Sequence, residues 1–437
     1  MSTYDQGAAS RGLWKRVSCD DVAPGANLNQ RVIEAICEAV GEVKGQEAKS
    51  FVSEHGVEQL HRAIEATDVG KIRDIALERL RPILLRFGVS IGRELLDWRS
   101  DFYIDDYLIL RINFPYEIAA KADPSAENPG IGRVTPSVKE LAESRKTRDG
   151  VYDPRSYHRG HPPAAWAHGP HRDSWAGHSR DGVNVWWAVS DVPAEAGMVL
   201  YEGLMEVDLP CDRRSLYVSA GYELPPPTAL PLAPGQMLVF DPEVLHGTHL
   251  NVTDTTRVAV SLRLNANRPQ FDPSCFYARE FWRRASSIEA GKLDEVLHLK
   301  REENLATPAP ALPQRPRERS PSVQATIEDG AICIARKDLP AEGSRIFVSA
   351  GEDRLMVVRR NGEFTAFSAL CPHYGLDLAD GAFVDQTSYC PGCGVGFDTT
   401  SGCSSTPSLR LAPLGLEADD DGLRVRRPAE APLARAS

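Results

Sequence analysis

The sequence predicts a mainly β protein with flanking α-helices: a double-stranded β-helix (jelly-roll, cupin-like) domain followed by a small all-β domain. Over 198–265, short apolar runs alternate with Pro and Gly turns, which is typical of a double-sheet jelly roll. Short strand-like segments resume after a proline-rich stretch at 307–322. At 437 residues, of which 42% are apolar, the chain is long enough for two packed cores.

Helical periodicity flanks the jelly roll on both sides. We expect helices that buttress its sheet at 27–40, 56–66 and 71–87, and a further helix over about 276–305. The first domain is therefore predicted to span residues 1–305, with its jelly-roll core at about 100–265. Residues 121–170 are rich in Pro, Gly, Asp and His, which predicts a long loop bordering the active site.

A linker separates this domain from the second one. Residues 307–322 contain five prolines and three arginines, which favours a semi-extended tether with bounds of about 306–324. The second domain is predicted to span 325–428, followed by a tail at 429–437. Its predicted strands lie at 331–335, 345–349, 354–359 and 364–368, with a hairpin turn at Asn361-Gly362.

Charge and cysteine usage exclude several classes of protein. The net charge of −11 and the lack of a basic stripe argue against nucleic-acid binding. The first 21 residues lack an apolar segment and no run of about 18 apolar residues exists, so we expect neither signal peptide nor membrane span. Three of the nine cysteines crowd into 371–393, which indicates metal binding in a reducing, cytoplasmic compartment rather than disulfides.

His171, Asp173 and His246 are the candidate ligands of a mononuclear metal. Two imidazoles and one carboxylate form the facial triad that holds non-haem Fe(II) and leaves positions open. The spacing of His171 and Asp173 fits a strand, in which residues i and i+2 share a face. Arg257, eleven residues beyond His246, has the guanidinium fork that grips a carboxylate.

Four tryptophans gather between positions 166 and 187, among them Trp175 and Trp186. Such aromatic walls are typical of small-molecule pockets, the alternative being a packed core. Arg111 and Asn113 share a face of a predicted strand over 108–114. They are substrate-contact candidates, and the alternative is the polar outer face of a strand.

The residues around the triad resemble the phytanoyl-CoA dioxygenase family of Fe(II)/2-oxoglutarate oxygenases. The resemblance lies in segment 185–197, which follows the His-x-Asp motif, and in segment 239–251, which carries the distal histidine. It implies that the triad binds iron and that Arg257 clamps the distal carboxylate of 2-oxoglutarate, with Thr248 and Trp186 beside it. Related halogenases have a small residue in place of the carboxylate, so the presence of Asp173 favours hydroxylation or desaturation.

A second motif lies in the C-terminal domain. Cys371-Pro-His373 is followed, after sixteen intervening residues, by Cys390-Pro-Gly-Cys393. These segments resemble the Rieske ferredoxin domain, whose loops read C-x-H and C-x-x-H, except that Cys393 stands where the second histidine is expected. The resemblance implies a [2Fe–2S] cluster with Cys371 and Cys390 on the inner iron and His373 and Cys393 on the outer one. A thiolate in place of an imidazole should lower its reduction potential.

Several alternatives remain open at this stage. Three thiolates and one imidazole also suit a tetrahedral zinc ion, which would make the second domain a structural or docking module. A degenerate domain without metal is a third reading.

The leading hypothesis for function is an Fe(II)/2-oxoglutarate dioxygenase that hydroxylates a small-molecule metabolite with O₂ and has a cluster for electron transfer to the iron. A Rieske oxygenase driven by NAD(P)H is the runner-up. A jelly-roll binding protein with a vestigial triad is the non-enzyme alternative. A reductase is the expected electron source for a cluster. The sequence leaves the oligomeric state open, including a homo-oligomer in which the cluster serves a neighbouring subunit.

Overall fold

The computed structural model describes residues 14–123, 126, 163–176, 178–212, 215–270, 282–295, 297 and 312–426. The helices of the first domain are α1 Cys19–Val22, α2 Leu28–Lys44, α3 Gln46–His55, α4 Leu60–Ala63, α5 Val69–Ser90, α6 Tyr116–Ala119 and α7 Ala285–Glu289. Its strands are β1 Trp14–Ser18, β2 Tyr103–Asp105, β3 Ile109–Asn113, β4 His168–His171, β5 Gly182–Ala188, β6 Met198–Leu200, β7 Cys211–Asp212, β8 Tyr217–Val218, β9 Thr228–Leu230, β10 Gln236–Phe240, β11 His246–Thr248, β12 Arg257–Asn265 and β13 Trp282–Arg284.

Two sheets form the jelly roll. The larger has the order β1-β10-β5-β12-β2-β13, with β3 also paired to β12, and the smaller has the order β4-β11-β6-β9. Apolar side chains from both sheets meet in one core, for example Trp186 of β5, Leu200 of β6 and Phe240 of β10. The predicted fold class is thereby confirmed: helices flank a jelly roll, and a small all-β domain follows.

Helices α2 and α5 cover the outer face of the larger sheet. Trp187 points toward them and packs against Phe87 of α5, with ring centroids 5.6 Å apart. Its neighbour Trp186 faces the opposite way, into the space between the sheets, because successive strand residues alternate. The helices predicted over 27–40 and 71–87 are confirmed, whereas 56–66 is broken into the 3₁₀ turn Val57–Gln59 and α4. None of the described helices is long and apolar enough to cross a membrane.

The helix predicted over about 276–305 is wrong where the structure describes it. Trp282 lies in β13, which pairs with β2 at the edge of the larger sheet. Among the described residues of this segment, only Ala285–Glu289 is helical, and Gly291, with φ of +77°, follows that short helix in a conformation that glycine tolerates. Over 282–295, the apolar pattern therefore reflects an edge strand and one helical turn. Most of the loop predicted over 121–170 lies outside the described residues.

The described part of the linker is bound to the first domain by backbone hydrogen bonds. The peptide N–H of Asp208 donates to Gln314 (2.9 Å), and that of Arg319 donates to Gly221 (3.0 Å). Residues 312–322 thus form a strap over the first domain rather than a loose tether.

The second domain is built from three small sheets. Its strands are β14 Val323–Gln324, β15 Thr326–Glu328, β16 Ala331–Ala335, β17 Arg345–Ala350, β18 Asp353–Arg360, β19 Glu363–Ser368, β20 Phe383–Val384, β21 Thr387–Tyr389, β22 Gly396–Asp398, β23 Leu416–Ala418 and β24 Gly422–Arg426. The sheet orders are β14-β17-β18-β19, β15-β16-β24-β23 and β20-β21-β22. Asn361 and Gly362 both have positive φ, as the predicted hairpin turn requires.

Candidate metal centres

The two histidines and the aspartate of the triad converge between the sheets. Strands β4 and β11 pair so that His246 lies opposite His171, with ring centroids 4.3 Å apart. Asp173 Oδ1 lies 3.4 Å from His171 Nε2 and 3.9 Å from His246 Nε2. All three side chains are buried, and each offers one ligand atom within 4.8 Å of the others. This spacing fits three ligands on one face of a single metal ion.

The backbone conformation that positions Asp173 differs from the predicted strand. Strand β4 ends at His171, and Asp173 opens the 3₁₀ turn Asp173–Ala176. Its peptide N–H donates to Pro242 C=O at 3.0 Å instead of continuing the ladder with β11. The turn, rather than strand alternation, therefore brings the carboxylate to the imidazoles.

Hydrogen bonds orient each of the three ligands. The Nδ1 atoms of His171 and His246 lie 2.8 and 2.9 Å from the carbonyls of Gly169 and Val244. A Nδ1–H donated to a carbonyl leaves Nε2 with its lone pair toward the metal. Asn184 Nδ2 donates to Asp173 Oδ2 at 2.9 Å, which leaves Oδ1 toward the imidazoles.

His246 and Asp173 are held in the protonation states that a metal requires. Burial lowers the pKa of His246 to about 3, with the neighbouring His171 adding to the effect. Burial alone would raise the pKa of Asp173, but Arg263 and the bond with His171 hold that pKa well below its usual range. A neutral imidazole and an ionised carboxylate are the forms that bind Fe(II).

A cavity opens beside the triad. Among the predicted site residues, Arg111, Trp186 and Thr248 line it. Asn113 does not line this cavity, and its backbone C=O accepts a hydrogen bond from Asn251 Nδ2. Trp175 also lies elsewhere, with its ring 5.6 Å from the guanidinium of Arg172.

Arg257 is buried at the start of β12, on the same strand face as Ser261 and Arg263, which do line the cavity. Its Nη1 donates to the carbonyls of His249 (3.3 Å) and Ala196. Its Nε is buried without a hydrogen-bond partner among the described residues. Burial lowers the Arg257 pKa to about 9, and the charge of Arg111 contributes. A buried cation with an unfilled donor suits a carboxylate ligand.

Several further residues line the cavity that the sequence did not mark as contributors to the site, among them His168, Asn184 and Arg263. His168 stacks on His171 with ring centroids 4.3 Å apart, and Tyr217 Oη lies 3.0 Å from its Nδ1. Alternation along β12 from Arg257 would have identified Arg263. Nothing in the local pattern marks His168 as a neighbour of the triad.

The cysteines of the second domain converge in the same way. The Sγ atoms of Cys371, Cys390 and Cys393 lie within 4.8 Å of one another, and all three residues are buried. His373 is also buried, with its ring between those of Tyr374 (3.9 Å) and Tyr116 (5.2 Å). Burial raises the pKa of Cys390 and Cys393, so a bound metal would be needed to hold them as thiolates.

The two cysteine loops share one backbone geometry. In the first loop, Cys371 N–H donates to Leu376 C=O, and Gly375 N–H donates to Cys371 C=O. In the second loop, Cys390 donates to Val395 and Gly394 donates to Cys390. Gly375 and Gly394 both have positive φ, which glycine adopts without strain. The pair of equivalent turns points both loops at a shared centre.

Comparison with known protein families identifies both domains. Residues 145–259 match the family model of phytanoyl-CoA dioxygenase (PhyH), and residues 331–414 match that of the Rieske [2Fe-2S] domain. The chain joins a PhyH domain to a Rieske domain. Both resemblances seen in the sequence are confirmed. The PhyH match implies Fe(II) and 2-oxoglutarate, and the Rieske match implies a [2Fe–2S] cluster.

Similar proteins cover parts of this PhyH–Rieske chain. Apoptosis-inducing factor 3 of Homo sapiens is 35% identical over 105 residues, which is 24% of this chain and 15% of that protein. The Mus musculus protein is 34% identical over the same share of each chain. The chain thus spans 15% of the length of these curated relatives.

Two solved structures are similar to parts of the chain. The ferredoxin of carbazole 1,9a-dioxygenase from Nocardioides aromaticivorans IC177 has 23% identity and a TM-score of 0.20, covering 22% of this chain and 94% of that one. The non-heme alpha ketoglutarate dependent epimerase SnoN from nogalamycin biosynthesis has 15% identity and a TM-score of 0.30, covering 60% and 81% respectively.

Proposed function

We propose that the chain is a non-haem Fe(II)/2-oxoglutarate-dependent dioxygenase that hydroxylates a small-molecule metabolite, with a Rieske domain that delivers electrons to the iron. The observation that carries this proposal is the convergence of His171, Asp173 and His246. Each of the three has a hydrogen-bond partner that fixes its ligand atom. The oriented ligand set favours a working metal site over a vestigial one.

The roles of the individual residues follow from their positions. His171 Nε2, His246 Nε2 and Asp173 Oδ1 would hold one face of the iron. When bound, Fe(II) with 2-oxoglutarate activates O₂ and converts the cosubstrate to succinate and CO₂. Arg257, with its unfilled Nε, would grip the distal carboxylate, and Thr248 and Trp186 would flank the cosubstrate.

The cavity lining bears on the substrate. Trp186, Met198 and Phe240 supply apolar surface, and the half-buried Arg111 supplies a positive charge. This combination favours a modest-sized, largely apolar metabolite, and Arg111 would contact an acidic or acceptor group on it. The presence of Asp173 supports hydroxylation over halogenation, because the carboxylate occupies the position that a halide would need.

In the second domain, Cys371, His373, Cys390 and Cys393 would hold the cluster. Such oxygenases take the electrons for turnover from 2-oxoglutarate, so the proposed role of the cluster is to return the iron to Fe(II) after uncoupled turnover. One observation favours zinc as a second candidate. The 3.8 Å between the Sγ atoms of Cys371 and Cys393 matches the edge of a tetrahedron with metal–sulfur bonds of about 2.3 Å.

Cosubstrate dependence tests the proposal against an NAD(P)H-driven Rieske oxygenase. The anaerobically purified protein would be given O₂ with either Fe(II) and 2-oxoglutarate or NADH and a ferredoxin reductase. We expect succinate formation only in the first mixture. The assay can be run before the substrate is identified, because uncoupled oxidation of 2-oxoglutarate does not require it. Oxygen consumption that requires NADH and ignores 2-oxoglutarate would establish the alternative.

A further inference from the structure

The first cysteine loop is bonded to the PhyH domain through one tyrosine. Tyr374 Oη accepts a hydrogen bond from the peptide N–H of Ala167 at 2.6 Å and donates to the C=O of the same residue at 3.2 Å. The Tyr374 side chain is fully buried, and its ring stacks on His373. A cluster-loop residue is therefore attached by two bonds to a residue 207 positions earlier in the chain.

The second cysteine loop makes an equivalent contact. The peptide N–H of Leu250 donates to the C=O of Cys393 at 3.0 Å. The neighbouring Gly394 lies so close to the ring of His249 that a Cβ at this position would overlap the imidazole. Any side chain at Gly394 would push the loop away from the PhyH domain.

Both contacted residues belong to the segments that carry the iron-binding histidines. Ala167 immediately precedes β4, which ends at His171, and Leu250 closely follows β11, which begins at His246. Strands β4 and β11 pair with each other. The first segment also has a side-chain route, because the ring of His168 stacks on that of His171 at 4.3 Å. Each cluster loop thus contacts a residue that flanks one of the two iron-ligand strands.

Further bonds fix the two domains in this arrangement. Arg319 of the linker strap bonds to Asp377 (3.0 Å) and Asp380 (3.1 Å) of the Rieske domain. Asp380 also accepts from the peptide N–H of Gly221 in the PhyH domain at 3.1 Å. On another side, Thr406 Oγ1 donates to Glu117 at 2.6 Å. The cluster loops are held against the PhyH domain, so no domain movement is needed for contact.

We propose that the Tyr374–Ala167 and Cys393–Leu250 contacts are the path by which electrons pass between the two metal centres within one chain. This inference rests on the proposed function and specifies its electron route. One electron leaves the reduced cluster and converts Fe(III) at the triad to Fe(II), with no covalent bond made or broken. A one-electron donor of the flavin or ferredoxin-reductase class then re-reduces the cluster. Each backbone segment, Ala167 to His171 or His246 to Leu250, spans at most about 14 Å.

Flash photoreduction of the anaerobic holoprotein, with the mononuclear iron oxidised and no 2-oxoglutarate present, tests the path. A photoreduced deazaflavin supplies the electron, and the readouts are reoxidation of the cluster by absorbance and loss of the Fe(III) EPR signal. We expect a first-order transfer whose rate is independent of protein concentration. Tyr374→Phe should slow it several-fold, and Gly394→Ala should slow it further, with the midpoint potentials of both centres unchanged. Tyr389→Phe, which removes a hydroxyl from the residue that precedes Cys390 in the sequence, is the matched control and should transfer at the wild-type rate.

Two results would overturn the inference. One is an unchanged rate in both Tyr374→Phe and Gly394→Ala. The other concerns two co-expressed variants: Cys390→Ser, which lacks the cluster, and Asp173→Ala, which lacks the mononuclear iron. Reduction of the iron in this mixture would require transfer from one chain to another, which contradicts a path within one chain. A protein that fails to oxidise 2-oxoglutarate would refute the proposed dioxygenase activity but leave this measurement intact.

Discussion

Asn184 donates a hydrogen bond from Nδ2 to Oδ2 of Asp173 at 2.9 Å, and both side chains are buried. The amide thereby sets which carboxylate oxygen faces the imidazoles. Such partners of metal ligands typically contribute 10- to 100-fold in metal affinity. Asn184→Ala should therefore weaken Fe(II) binding by about 10- to 100-fold, as measured by anaerobic titration, while the exposed Asn267→Ala leaves it unchanged. Equal affinities in the two variants would remove Asn184 from the metal site.

Asp173 supplies the only carboxylate of the proposed ligand set. Asp173→Ala should abolish Fe(II)-dependent succinate formation and lower the iron content by about one atom per chain, since a ligand is lost outright. Asp181→Ala, an exposed carboxylate eight positions along, is the control. Retained succinate formation in Asp173→Ala would show that the triad is misassigned.

Arg257 is the proposed partner of the distal carboxylate of 2-oxoglutarate. Truncating one partner of a buried charge pair costs about 2–5 kcal/mol, so Arg257→Leu should raise the KM for 2-oxoglutarate by roughly 30-fold or more. Steady-state succinate formation measures this, with the exposed Arg268→Leu as control. If Arg111→Leu raised the KM for 2-oxoglutarate and Arg257→Leu did not, Arg111 rather than Arg257 would be the partner of the distal carboxylate.

Cys393 stands where the Rieske pattern has a histidine, and a thiolate at this position is predicted to lower the reduction potential of the cluster. Cys393→His should raise the midpoint potential of the cluster by on the order of 100 mV or more, because a neutral imidazole replaces an anionic thiolate. A redox titration followed by EPR measures the shift. Cys403→Ser, an exposed thiol in the same domain, should leave the potential unchanged. A Cys393→His protein with the wild-type potential would remove Cys393 from the cluster.

The buried ligand His246 makes the stability of the iron-free protein depend on pH. Burial lowers the pKa of folded His246 to about 3, whereas an unfolded histidine titrates near 6.5. As pH falls below about 6.5 the unfolded state gains the proton first, so stability is lost in the window between those two values. Asp173 does not contribute in this window, because its lowered pKa matters only below about 4.

Denaturant unfolding of the iron-free protein measures this effect. From His246 alone, we expect the free energy of unfolding to be about 1.4 kcal/mol lower at pH of about 5.5 than at about 7.5. His246→Gln should remove that part of the loss, and the exposed His55→Gln should not. A pH profile that is the same in both variants would contradict the assignment of a buried, neutral His246.

Local patterns in the sequence predicted the elements whose residues contact near neighbours. The alternation over 108–114 became β3, the periodicity over 71–87 became α5, and the Asn361-Gly362 pair formed its hairpin. The ligand motifs were visible because metal chemistry restricts both residue type and spacing.

Contacts between distant segments left no such local signal. The turn that carries Asp173 is held by the hydrogen bond from its peptide N–H to Pro242 C=O. Trp282 lies in a strand because its segment pairs with the edge strand β2. The docking of Tyr374 on Ala167 joins residues 207 positions apart. Such pairings depend on the packed tertiary structure, which overrides local propensity.

The measurement that tests the central claim most directly is low-temperature EPR on anaerobically purified protein, before and after dithionite, with iron and zinc counted on the same sample. We predict a rhombic signal that appears only on reduction and about three irons per chain, one mononuclear and two in the cluster. No signal on reduction, together with about one zinc per chain, would contradict the account and make the Rieske domain a structural module.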